Sequence, residues 1–166
     1  MPKQIKKRVL KKGEKSAAVL TITAMIVGLI FTVLFVIMIP DIDSGTEDIQ
    51  FIKAICAAVG YVLFVLATAV ALIASLKAYK NSKQMGDVMR GFFCGVSIFT
   101  ALLSVRFMLA LFFAGLDDQE MVDKIIGSGT YSEFIKNQAP SFACLVIALA
   151  IMLFAGISAI VKLAKR

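Results

Sequence analysis

Four long apolar runs, at residues 17–39, 54–76, 91–116 and 141–161, leave little of this chain for anything else. Each holds 21 to 26 residues, and Arg106 is the one formal charge inside any of them. A helix needs about 20 apolar residues to cross a hydrocarbon layer about 30 Å thick, so each run predicts a membrane-spanning helix. Composition agrees: 60% of the 166 residues are hydrophobic, above the roughly 45–50% of soluble domains. The basic start resembles the opening of a secretory signal. The first run, however, is longer than a signal's apolar core and lacks an A-x-A-like site before Pro40, so it is expected to stay as a helix.

Charge alternates in sign between the runs. The tail 1–16 carries Lys3, Lys6, Lys7, Arg8, Lys11, Lys12 and Lys15, the second loop adds Lys77, Lys80, Lys83 and Arg90, and the C-terminal residues add Lys162, Lys165 and Arg166. Nine of the eleven acids fall instead in the first and third loops, from Asp41 to Asp48 and from Asp117 to Glu133. Basic residues next to spans stay on the cytoplasmic side. Both termini are therefore expected inside, in a plasma membrane. The net charge of +7 follows from this topology. No aromatic residues interleave it as a nucleic-acid platform would require. Lys6, Lys7, Arg8, Lys11 and Lys12 could also lie against anionic lipid.

The expected fold is an all-α integral membrane protein: a four-helix up-down-up-down bundle with both termini cytoplasmic and a short helical external loop between its third and fourth helices. Residues 1–16 form a basic tail, and 17–163 form one transmembrane domain with spans near 17–39, 54–78, 91–116 and 141–163. Residues 117–139 form a structured loop, and 164–166 a second tail. The capping box Ser44-Gly-Thr-Glu47 places the start of the second helix near Gly45. Asp87 suits a cap for the third, and Pro140 the first turn of the fourth. In the third loop, Met121, Val122, Ile125 and Ile126 form an apolar stripe, Gly127-Ser-Gly129 breaks it, and Thr130-x-x-Glu133 predicts a second short helix. Two short helices on the outer rim would fit.

Arg106 is the candidate functional residue. At 1.5 Å per residue it stands about 22 Å along its helix from Gly91, and a charge at such depth usually faces a bundle interior, a cavity or a pathway. No span contains a carboxylate. Tyr61 and Thr32 lie at similar depth and can accept hydrogen bonds. Three readings stay open: Arg106 binds an anion or lipid headgroup, pairs with an acid of another membrane subunit, or bonds to backbone and Tyr61 within the bundle. Thr21, Gly28 and Thr32 on the first helix, and Ser97, Thr100 and Ser104 on the third, read as helix-packing faces. So do Gly91-x-x-x-Gly95 and Ala155-x-x-x-Ala159.

Cys56 and Cys144, near the outer ends of two spans, could pair in a redox role, although a thiol oxidoreductase more often shows Cys-x-x-Cys. The chain has no His and no cysteine cluster, so no metal site or cofactor is expected. It shows no phosphate loop, dinucleotide turn or nucleophile elbow either. The absence of an intramembrane acid argues against a proton relay. The reading is a non-enzymatic interaction or accessory subunit of a membrane assembly. Its partners would be the bilayer and another membrane subunit or further copies of itself. The alternative is a homo-oligomeric channel or carrier for a small anion with Arg106 in the pathway.

Overall fold

A computed structural model describes residues 12–38, 47–116, 119–126 and 131–164. The elements are six helices: α1 (Lys12–Met38), α2 (Glu47–Ser82), α3 (Met85–Leu103), α4 (Val105–Gly115), α5 (Gln119–Ile126) and α6 (Tyr131–Ala164). Four stretches, Gly13–Phe35, Phe51–Ser82, Met85–Leu103 and Gln138–Ala164, are long and apolar enough to cross a membrane. They pack as a ring in which α1 touches α2 and α6, and α3 touches the same two. One end of the ring gathers the start of α1, the α2–α3 turn and the end of α6, and is called the terminal end below. The opposite, loop end holds the far end of α1 and the start of α6, where Phe35 stacks on Phe142 with ring centroids 6.4 Å apart.

Inward and outward positions of the long helices are separated by size more than by polarity. Ala17, Ala18, Thr21 and Ala24 on α1 face the core, as do Ala71, Ser75 and Ala78 on α2, Cys94, Ser97 and Ala101 on α3, and Ala148, Ala155 and Ala159 on α6. Most large exposed side chains are Val, Ile, Leu and Phe, among them Ile30, Val62, Leu66, Ile73, Phe92 and Ile157. Lipid is as apolar as leucine, so helices in it associate through close packing, and small residues permit the close approach. Two reciprocal contacts follow. A Cβ added to Gly28 would lie 3.0 Å from the Phe64 ring, and one added to Gly60 would lie 3.0 Å from Phe31. Gly156 of α6 meets α1 more tightly still, its would-be Cβ 2.6 Å from Met25 Cβ. The large core residues Phe31, Phe35, Tyr61, Phe64 and Phe107 gather toward the loop end.

Three expectations are corrected. The third helix does not run unbroken through 91–116; it turns at Ser104 (φ −87°, ψ −1°), which separates α3 from α4. There the Ala101 carbonyl accepts Ser104 N at 2.9 Å and Ser104 Oγ at 2.6 Å, a tighter turn that ends the α-helical ladder. Pro140 is not in the first turn of the last helix. α6 already starts at Tyr131, so the second rim helix merges into it and Pro140 lies inside, where it offers no N–H to the Lys136 carbonyl. Asp87 is not a cap either: Gln84 holds the N-cap position of α3 and Asp87 sits in the first turn.

Other boundaries are extended or met. α1 opens at Lys12, within the stretch read as tail, and α2 at Glu47, two residues past Gly45. α5 supplies the rim helix, with Glu120 and Lys124 paired at 2.6 Å. Ser44, Gly45, Thr46 and Thr130 of the capping boxes lie outside the described residues.

Candidate functional site

The terminal end brings together ionisable groups from three long helices and a hydroxyl from the fourth. α1 presents Glu14 in its first turn, α3 presents Asp87 in its first turn with Arg90 one turn on, and α6 presents Lys162 in its last. Each terminal charge suits its helix end, because an N-terminus favours an anion and a C-terminus a cation. Antiparallel packing then puts these ends side by side. Lys162 Nζ lies 2.8 Å from Asp87 Oδ1 and 3.8 Å from Glu14 Oε1. Arg90 Nη2 also donates to Asp87 Oδ1, and Ser82 Oγ donates to Oδ2 at 2.9 Å. Ser82 Oγ in turn accepts the Gln84 N–H at 3.2 Å, closing the α2–α3 turn.

Glu14, Asp87 and Arg90 are buried, and Lys162 is nearly so. Two acids and two bases make the quartet neutral, which is what burial at this cost demands. Arg90 Nε, by contrast, has no hydrogen-bond partner among the described residues. Sequence reasoning missed this cluster by counting Arg90 and Lys162 as topology signals. The available signal was that Glu14 and Asp87, the two acids outside the first and third loops, fall in otherwise basic flanks.

The expected site residues are dispersed. Arg106 is in the first turn of α4 and exposed, on a stripe with Phe99, Leu102, Leu103 and Leu109, all exposed apolar residues. Tyr61 is buried at the α3–α4 break, its hydroxyl donating to Ala101 O at 2.5 Å. Thr32 donates to Gly28 O of its own helix at 2.8 Å. Thr21 and Thr100 likewise bond within their helices, whereas Ser97 Oγ reaches Ala148 O of α6 at 2.8 Å. Cys56 and Cys144 are free thiols, both half-buried. Cys56 lines an apolar groove of about 380 Å³ between α1 and α2, with Val27, Ile30, Phe31, Val59 and Leu63. Lys6, Lys7, Arg8 and Lys11 lie outside the described residues, and Lys12 opens α1.

Chemically, the quartet is suited to holding helices together, and the hydroxyls at the Ser104 turn to capping a carbonyl. No group of three or more potential metal-ligating residues occurs among the described residues. In comparison with known proteins, no family model, curated protein or solved structure matches the chain.

Proposed function

We propose that the chain is a non-enzymatic interaction subunit of a membrane assembly. It would cross the plasma membrane four times with its terminal end inside and meet its partner through the exposed face of α4. The sidedness rests on the charge of the flanks, fourteen of the eighteen basic residues falling in the terminal-end segments. The interaction reading is supported by one observation: Arg106 is exposed in the first turn of α4, on a stripe of exposed apolar side chains. A cation at that position favours an acidic or strongly hydrogen-bonding group on a neighbouring helix, since polar residues within a bilayer gain most from such contacts.

Native mass spectrometry of the protein purified in mild detergent from its own membranes tests this. A stoichiometric second subunit is expected, with its share reduced at least about tenfold, or 1.4 kcal/mol, in Arg106→Gln. Recovery as a monomer under conditions that keep other membrane complexes whole would refute it. A homo-oligomer that conducts anions, with conduction lost in Arg106→Gln, would establish the channel reading in its place.

A further inference from the structure

The contacts of the quartet are unequal in what they hold. Asp87 and Arg90 stand one turn apart on the same helix, so their pairing ties no two helices together. Ser82 and Asp87 flank the short turn that already joins α2 to α3. Lys162 links helices that are not consecutive, joining α6 to Asp87 of α3 and Glu14 of α1. It is also the accessible member: its side chain is 16% exposed, against 2% for Glu14 and 0% for Asp87.

Packing does little to reinforce this end. The core beside the quartet is built from Ala17, Ala18, Ala78, Gly91 and Ala159. The buried aromatic residues lie toward the other end, and on this side the half-buried Phe93 meets Phe154 of α6 edge-on at 5.3 Å. One turn beneath Arg90, on the same face of α3, Cys94 is fully buried.

We propose that Lys162 is the bolt of a latch, and that the terminal end of the bundle opens by withdrawing α6 from Glu14 and Asp87. In the closed state the bolt covers the small-residue core and Cys94. In the open state the last turns of α6 swing clear, while α3 keeps its Asp87–Arg90 pair and α2 its link through Ser82. Salt shifts the balance toward the open state, because charges separated into water are stabilised by electrolyte whereas the buried closed pair is little affected. The exposed Lys15, Lys77, Lys80 and Lys83 of the same end add positive repulsion that the same electrolyte relieves. A salt response of the latch must therefore depend on Lys162 itself.

The thiol of Cys94 reports the opening. In a protein with Cys56→Ala and Cys144→Ala, reconstituted in proteoliposomes, modification of Cys94 by a small cationic methanethiosulfonate added to both sides is timed. Labelling is expected to be slow and to quicken severalfold between about 0.05 and about 0.5 M NaCl. With Lys162→Gln it should be about tenfold faster at low salt and indifferent to salt, and with Lys77→Gln it should match the parent. Glu14→Gln, which leaves the Lys162–Asp87 pair in place, should fall between and serves if Lys162→Gln does not accumulate. Parent-like protection of Cys94 in these variants would overturn the latch. An equal acceleration at Cys56, measured in a companion with Cys94→Ala and Cys144→Ala, would also overturn it by showing that the whole bundle loosens.

Discussion

Lys162 Nζ on the last turn of α6 lies 2.8 Å from Asp87 Oδ1 on the first turn of α3, across 75 residues of chain. The two residues belong to opposite helix polarities, so each charge is favoured by its own backbone before they meet. Asp87 is the centre of the arrangement: it accepts from Lys162, Arg90 and Ser82.

Replacing that centre should cost far more than replacing a periphery. Asp87→Ala leaves Arg90 and Lys162 facing each other without a carboxylate between them, and is expected to destabilise by about 3–5 kcal/mol. Lys162→Met keeps the apolar stem and leaves Arg90 and Ser82 on Asp87, so about 1–2 kcal/mol is expected. Unfolding in mild detergent, followed by circular dichroism, checks the order; equal costs would contradict it.

Gly156 is a steric requirement of the α1–α6 contact. A Cβ there would stand 2.6 Å from Met25 Cβ, and Gly156→Ala is expected to cost about 1–3 kcal/mol by overpacking. Met25→Ala removes Sδ and Cγ but keeps the closest carbon, so the double variant should recover only part of that loss. Full recovery would mean that α1 and α6 slide apart freely.

At the α3–α4 break, Tyr61 and Ser104 share one acceptor, the Ala101 carbonyl. Tyr61→Phe should cost about 0.6–1.7 kcal/mol, the range of hydrogen bonds between membrane helices. Either hydroxyl partly covers for loss of the other, so adding Ser104→Ala should exceed the sum of the single losses by about 0.5 kcal/mol or more. Strict additivity in a double-mutant cycle would separate the two contacts.

Lys83 closes the α2–α3 turn with φ +51°, a left-handed conformation without a glycine. Its N–H bonds Tyr79 O at 2.7 Å, the pattern of a helix C-terminus. Glycine removes the Cβ conflict worth about 1–2 kcal/mol and returns about 0.5–1 kcal/mol in chain entropy. Lys83→Gly should thus raise stability slightly, measured as a higher melting temperature in detergent.

The four long helices were legible because lipid-facing and core-facing positions are both apolar, leaving runs that only a few charges interrupt. The same uniformity hid what lies inside them. Ser104 looked like one more small packing residue, since nothing local distinguishes a hydroxyl that ends a helix from one that packs along it. Pro140 misled because a proline marks a first turn in most helices, and here the preceding residues 131–139 already wind into α6. Asp87 was read against its own turn, whereas its partner Lys162 arrives through antiparallel packing that spacing along the chain does not show. Arg106 was found by its charge, but its exposure depends on how α4 packs in the bundle, which spacing along the chain does not show.

The quartet also sets an order on the making of the molecule. Glu14 is synthesised with α1 and Asp87 with α3, yet their shared cation belongs to α6. Until that helix arrives, a nascent chain carries two acids at the mouth of a half-built bundle with Arg90 as their nearby base. A chain interrupted before α6 therefore leaves Glu14 and Asp87 without the cation that ties α1 and α3 to the last helix.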